Sequence, residues 1–299
     1  MNWMHTTFSE VIQMSANQTT TVSSTEGGNK QAVVQERTPA YERYLNALHL
    51  NTLRVRGWQL GILLVFLALW EVAPRTGWVN PLLTSYPSAV FETLRDMAGD
   101  GSLYVHTWAT IKSTFIGFVA GGLIGLALAV ALWLSPILHR VLDPFVVVVN
   151  ALPKIALVPI FYIWLGDVMS IYAMAVSVSV FVTVLMLYTG FQAIEPDKLK
   201  LVRLYGATKL QTLRLIVLPG SIPTLVSTLK VSVGLTLIGV IVGEFQSAKE
   251  GLGYLITYGG QIFKMNLVMA AIVVLAVIST VLFVAIQALE QYVVHRKRS

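Results

Sequence analysis

Long apolar runs, more than any helical or strand period, dominate the pattern of this chain. A helix needs about 20 mostly apolar residues to cross a bilayer, and a soluble core helix rarely supplies them without a charge. Three runs meet that length with no charged side chain: Thr114 to Leu134, Met169 to Phe191 and Leu267 to Leu289. Each of them predicts a transmembrane helix.

Three further runs are shorter or interrupted. Trp58 to Ala73 has Glu71 near its far end and tryptophans close to both ends, as is typical of the headgroup region. Ile222 to Phe245 contains Lys230. Pro144 to Gly166 is interrupted by Asn150, Pro153, Lys154 and Pro159. Together the runs predict an all-α integral membrane protein with about six transmembrane helices.

The composition agrees, because 55% of the residues are hydrophobic, 12% are charged and the mean hydropathy is +0.70. The net charge of +6 follows topology rather than nucleic-acid binding, since basic residues collect in cytoplasmic loops. With the N-terminus inside, the inner flanks hold Arg43, Arg54, Arg56, Arg140, Lys198, Lys200, Arg203, Lys209, Arg214, Arg296, Lys297 and Arg298. The outer loops hold only Arg75, Arg95, Lys112, Lys249 and Lys264. This asymmetry predicts a multi-pass protein of a bacterial plasma membrane with both termini in the cytoplasm.

The first 50 residues are polar and lack the apolar core of a signal peptide. They are interpreted as a disordered cytoplasmic tail over 1–50, before a membrane domain over 51–299. Met4 and Met14 leave a later start open. The chain has no cysteine, which excludes disulfides and thiolate chemistry.

Two features of the runs have more than one interpretation. Gly117, Gly121, Gly122 and Gly125 form a small-residue stripe for which close helix packing is favoured over a ligand role. The segment Asn150 to Pro159 is broken by prolines at membrane depth, where non-helical backbone has to be buried in protein or to line an aqueous path. Its Lys154 either lines a translocation path or snorkels to the surface, and Lys230 has the same two interpretations.

Two short amphipathic segments lie outside the runs. Ser88 to Met97, with Val90, Phe91, Leu94 and Met97 at helical spacing, predicts a short helix on the outer membrane surface. The loop Gln192 to Ser221 predicts two helices hinged at Gly206, the first opened by Pro196 and the second by a capping box of Thr208 and Gln211. Their predicted common apolar face consists of Leu199, Val202, Tyr205, Leu210, Leu213 and Val217. A helix pair that touches only lipid explains this face equally well.

That loop resembles the cytoplasmic signature E-A-A-x3-G-x9-I-x-L-P of ABC importer permeases. Gly206, Ile216, Leu218 and Pro219 match it, whereas Lys200, Leu201 and Val202 replace the opening triplet. The resemblance extends to Pro87-Ser88, to Asn150 through Gly166, and to Gly243-Glu244 followed by Gly251-Leu252-Gly253. From about Trp58 onward the chain is similar to the subfamily that serves nitrate, sulfonate, taurine, bicarbonate and thiamine-precursor importers.

The resemblance implies that the loop, here named the coupling loop (Gln192 to Ser221), docks on a cytoplasmic ATPase. The residues implicated are Lys200, Leu201, Val202, Arg203, Tyr205, Gly206, Ala207, Ile216, Leu218 and Pro219. Asn150, Pro153, Lys154 and Pro159 are the expected translocation-path residues. Two permease copies, two ATPase copies and an extracytoplasmic solute-binding protein are the expected partners, with transport by alternating access.

ATP and Mg are expected on the ATPase partner, because the chain has no G-x4-G-K-[ST] phosphate loop. No catalytic constellation occurs either, which predicts that the chain is not an enzyme, with no metal site of its own. An ATP-independent secondary transporter is the alternative. It would need coupling carboxylates within its spans, and the acids near the runs, Glu71 and Glu244, lie close to their outer ends. Lys154 hints at an anionic solute.

Overall fold

The computed structural model describes residues 39–295, which form helices and connecting turns without a strand among them. The chain divides into two units, Met1–Leu67 and Ala68–Ser299. The helices are α1 Pro39–Arg75, α2 Pro87–Gly99, α3 Ser102–Leu134, α4 Pro136–Ala151, α5 Val158–Gln192, α6 Pro196–Leu204, α7 Lys209–Thr212, α8 Ile222–Ser247, α9 Leu252–Gln261 and α10 Met265–His295. Shorter helical turns are Pro81–Thr84, Lys154–Leu157, Leu213–Val217 and Leu218–Gly220.

The segment predicted as a disordered tail lies largely outside the described residues. Positions 1–38 are not described, and α1 begins at Pro39, before the predicted boundary at residue 50.

Five helical stretches are long and apolar enough to cross a membrane, and the all-α membrane fold is thereby confirmed. They contain the first, second, fourth and fifth predicted spans, and all of the sixth except its last residue, Leu289. Their bounds are Asn51–Arg75, Ser102–Leu134, Lys154–Gln192, Ile222–Gln246 and Met265–Ala288.

The predicted third span is not one continuous helix. Helix α4 ends at Ala151, and Leu152 is extended, with φ −64° and ψ 138°. The residue before a proline is driven out of the helical region, so Pro153 explains this break. One 3₁₀ turn later α5 begins at Val158, and its backbone breaks again at Gly166, with φ 77° and ψ −174°.

Contacts at one end of α8 nevertheless indicate that residues 135–166 cross the bundle. Thr110, near the start of α3, contacts Glu244 at the C-terminal end of α8, and Asp167, just after the break in α5, contacts Lys249 in the loop that follows α8. Both helices therefore run from the same end of the bundle toward the other. The chain between the end of α3 and Asp167 has to return across the bundle, so the sixth crossing is built from broken pieces.

The small-residue stripe packs α3 closely against α5. Gly117, Gly121 and Gly125 all face α5, and a Cβ at Gly125 would come within 2.6 Å of Thr183 Cγ2. Gly122 has open space around its Cα instead. The packing interpretation is thus confirmed for three of the four glycines, because a helix face without Cβ atoms lets the neighbouring backbone approach.

The predicted short helix over Ser88 to Met97 is confirmed as α2, and its position on the outer membrane surface stays a prediction. Its Val90 and Met97 are buried, whereas Phe91 is 70% exposed. Of the apolar residues that the spacing grouped, Phe91 therefore does not pack on the bundle. The side chain lies one position after Val90, about 100° further around the helix, and so faces away from the bundle.

Candidate functional site

The coupling loop has the hinged geometry that its sequence predicts. Helix α6 ends at Leu204, and Gly206 has a φ of +79°, in the left-handed region. Thr208 and Gln211 form the predicted capping box, with Gln211 N donating to Thr208 Oγ1 (3.3 Å) and Thr208 N donating to Gln211 Oε1 (2.8 Å). Glycine adopts a positive φ without the penalty that a Cβ brings, so the hinge depends on Gly206.

The predicted single apolar face of this loop was wrong. Leu213 and Val217 are buried in a cluster with Phe191, but Tyr205 is 84% exposed and Leu210 is also exposed. A π-helical turn over Leu213–Val217 adds a residue to the helical repeat and shifts the side chains that follow. The loop therefore has an inward apolar side that packs on the bundle and a second, exposed apolar group, consisting of Leu201, Leu204, Tyr205, Leu210 and Leu215.

The remaining coupling-loop residues lie around these two sides. Lys200 is exposed and pairs with Asp197 at 3.2 Å, and Arg203 is exposed. Half-buried positions are Val202, Ala207, Ile216, Leu218 and Pro219. Lys209 Nζ donates to the carbonyl of Leu134 (3.4 Å), so the loop contacts the end of α3.

The broken segment brings Asn150 and Lys154 together. Lys154 Nζ donates to the Asn150 carbonyl (2.8 Å), close to the Asn150 side-chain oxygen (3.4 Å), and lies 5.8 Å from the centre of the Phe181 ring. The last carbonyls of a helix lack backbone partners, so the ammonium caps the end of α4. Pro153 and Pro159 are exposed in the single chain.

Lys230 forms an ion pair with Glu290 of α10. Both side chains are about one-quarter exposed. The pair lies in the half of the bundle nearest the coupling loop, since Lys230 is in the third turn of α8. The sequence interpretation missed Glu290, although an acid directly after the last apolar run was a visible signal.

Two carboxylates near the other end of the bundle cap surface helices. Glu71 accepts hydrogen bonds from Ser88 N (3.0 Å) and Ser88 Oγ (2.8 Å) at the start of α2. Glu244, 1% exposed, accepts from Gly253 N in the first turn of α9 (2.8 Å) and from Thr110 Oγ1 (2.9 Å). Carboxylates are favourable at helix N-termini, so Ser88, Glu244 and Gly253, which the resemblance matched, have a structural role that the sequence did not reveal.

Among residues 39–295, no group of three or more His, Asp or Glu side chains is placed to hold a metal ion.

Comparison with known proteins gives matches over most of the chain. The family model described as "Binding-protein-dependent transport system inner membrane component" matches residues 121–299. The taurine transport system permease protein TauC of Escherichia coli (strain K12) is 26% identical over 78% of this chain and 86% of its own length. The putative aliphatic sulfonates transport permease protein SsuC of Bacillus subtilis (strain 168) is 26% identical over 74% of this chain and 82% of its own.

A solved structure shares the fold. It is an inward-facing conformation of the MetNI methionine ABC transporter, with a TM-score of 0.56 and 20% identity. The match covers 63% of this chain and 94% of the other.

Proposed function

Since the chain belongs to the inner membrane components of binding-protein-dependent transport systems and is the permease subunit of an ATP-driven importer, we propose that it translocates a small sulfonate-type anion. ATP is bound by a partner ATPase in such an importer, and a solute-binding protein is a further partner. Membership in this family does not support the ATP-independent alternative.

The exposed apolar group of the coupling loop is the observation that supports ATPase docking. Leu204 is 86% and Tyr205 84% exposed on either side of the α6 end, next to the Gly206 hinge. Exposed apolar patches on a segment outside the spans mark interaction surfaces. Basic residues at Lys200 and Arg203 border this patch, so a partner cleft with apolar walls and an acidic rim fits it.

The inward side of the same loop contacts the spanning helices and could transmit a movement of the ATPase to them. Leu213 and Val217 pack with Ala129 of α3 and with Leu187 and Phe191 of α5. Ser221 Oγ donates to the carbonyl of Gly190 at 3.3 Å, directly before α8 begins. A movement of the docked loop would therefore act on three spanning helices at once, as alternating access requires.

The broken crossing is the proposed wall of the translocation path. Asn150, Pro153, Lys154 and Pro159 lie at or beside the break between α4 and α5. A helix break at membrane depth has to be shielded from lipid by protein or has to line an aqueous path. The 2.8 Å contact to the Asn150 carbonyl accounts for only part of the donor capacity of Lys154. A homodimer with the path between the copies, and both termini in the cytoplasm, complete the proposal.

The sulfonate class is supported by the two relatives named for taurine and aliphatic sulfonates. The test is uptake of labelled taurine, ethanesulfonate and nitrate in cells with and without this chain, with the ATPase and binding-protein genes intact. We expect loss of sulfonate uptake in the deletion and its recovery with the wild-type chain. Unchanged uptake of both sulfonates would reject the substrate class but leave the family membership untouched.

A further inference from the structure

A cavity of about 500 Å³ opens at the end of the bundle opposite the coupling loop. Its walls come from the start of α3, the part of α5 after Gly166, and the end of α8 with the loop that follows. These are the three helices that the coupling loop contacts at their other ends. The cavity is therefore placed where a solute would enter if the proposed function is correct.

One stripe of α3 lines this cavity. Tyr104, Trp108 and Lys112 recur at intervals of four residues, so they lie above one another on the same helix face. Tyr104 is 72% and Trp108 54% exposed, and Tyr172 of α5 adds a third aromatic ring. A flat aromatic surface with a cation one turn away suits a small molecule that has an apolar part and an acid group.

Most other charges around the cavity have partners. Asp167 pairs with Lys249 at 3.4 Å. The buried carboxylate of Glu244 caps α9 and accepts from Thr110. Lys112 has no ion pair or hydrogen bond with any part of the chain that the structure describes.

Glu250 is the other charged residue of the lining. It belongs to the exposed loop after α8 and interacts electrostatically with His106. Lys112, in contrast, lies within a helix wall next to aromatic rings. The charge count placed Lys112 in an outer loop, but it lies within α3, at the cavity face. Its side chain is exposed there and can contact water and solute.

We propose that this cavity receives the solute at the outer mouth, with the Lys112 ammonium binding its sulfonate and Trp108 and Tyr172 contacting its apolar part. This inference rests on the proposed function for the substrate class. The sequence suggested an anion contact for Lys154, and this proposal assigns that contact to Lys112, which has no partner among the described residues.

The absence of cysteine from the chain allows a direct test. Ala109→Cys places a thiol in the cavity wall. In the complete transporter in nanodiscs, we would compare its modification rates with an anionic reagent, 2-sulfonatoethyl methanethiosulfonate, and with the cationic trimethylammonioethyl analogue. Lys112→Gln should lower the ratio of anionic to cationic rates about fivefold, as expected for one charge a few ångströms away.

Two control variants have defined expectations. Lys264 lines another cavity, so Lys264→Gln should leave the ratio of anionic to cationic modification rates unchanged. Glu250→Gln removes a negative charge from this cavity and should not lower that ratio. Millimolar ethanesulfonate or taurine should slow modification of the thiol, and Lys112→Gln should remove this protection.

An unchanged rate ratio in Lys112→Gln would overturn the proposal. A lower ratio without protection by either sulfonate would also overturn it, because Lys112 would then be a surface charge only. Modification is measured without ATP hydrolysis or transport. The result for Lys112 and its cavity can therefore be distinguished from the result of the uptake test.

Discussion

Gly239 of α8 lies directly against the backbone of Ala175 in α5. A Cβ at position 239 would come within 2.8 Å of Ala175 Cα and 3.0 Å of the Met174 carbonyl oxygen. Ala175 is fully buried, and Gly117 of α3 approaches it as well. Three spanning helices therefore meet at one small residue, and their close spacing depends on the glycines, which have no side chain.

This contact predicts that Gly239→Ala destabilises the permease. The clash involves backbone atoms, which cannot rotate away, so we expect a loss of about 1 to 3 kcal/mol. Gly234→Ala, on the same helix, has nothing within 4 Å of the added Cβ and is the matched control. Thermal unfolding of the purified transporter measures both. Equal melting temperatures for the two variants would contradict the close packing of α8 on α5.

The Glu244 cap predicts that removal of its carboxylate loosens α9. Glu244→Ala leaves the amide of Gly253 and the hydroxyl of Thr110 without their acceptor in a buried site, at a cost of about 1 to 3 kcal/mol each. Glu244→Gln keeps one acceptor oxygen and should be milder. Hydrogen exchange of the α9 amides measures the effect, and equal protection in wild type and Glu244→Ala would show that the cap does not hold this helix.

The Lys230–Glu290 pair predicts a charge-swap result. Lys230→Glu or Glu290→Lys alone places two like charges between spanning helices, so we expect about 2 to 3 kcal/mol of destabilisation. The double variant should regain most of that stability. The measurement is thermal unfolding of the four proteins as a double-mutant cycle. Additive losses in the double variant would mean that the two side chains do not interact.

The hinge predicts that Gly206→Val uncouples transport. No atom lies within 4 Å of a Cβ at this position, so strain at φ +79° is the only local effect, about 1 to 2 kcal/mol. Such an energy can shift an equilibrium between two docked states about tenfold. We expect weaker co-purification of the ATPase and loss of ATPase stimulation by the loaded binding protein.

Gly206→Asn is the matched control for this hinge, since asparagine tolerates the left-handed region better than valine. It should retain more coupling. If Gly206→Val retains full stimulation and full transport, the loop does not transmit the stroke, and a helix pair that touches only lipid becomes the better interpretation.

The orientation of the bundle predicts opposite labelling at the two ends of α8. Lys249→Cys, beside Asp167, should react with an impermeant maleimide in intact cells, whereas Lys209→Cys in the coupling loop should be protected. Permeabilised cells serve as the control for reactivity of position 209. The reverse pattern would place the coupling loop outside and contradict the proposed topology.

The sequence predicted the features of this protein that depend on neighbouring residues. Apolar runs identified the spanning helices because a bilayer requires about 20 consecutive apolar residues, and such a run is visible in the sequence without knowledge of the fold. The Gly206 hinge and the Thr208–Gln211 capping box were also predictable, because the residues that form each of them are close together in the sequence. The glycine stripe of α3 showed that something packs closely there, but not which helix does.

The partners of the charged side chains were decided only by the tertiary structure. Glu244 and Gly253 could be read together as motif residues, but Thr110, which shares the carboxylate, lies 134 positions away in the chain. Likewise, three lysines look alike in the sequence, as isolated lysines in or beside apolar runs. In the structure Lys154 caps α4, Lys230 pairs with Glu290, and Lys112 has no partner in the part of the chain that is described. Whether each one caps a helix, pairs or remains available depends on which helices the fold brings within about 3 Å, because hydrogen bonds and close ion pairs act only at that range.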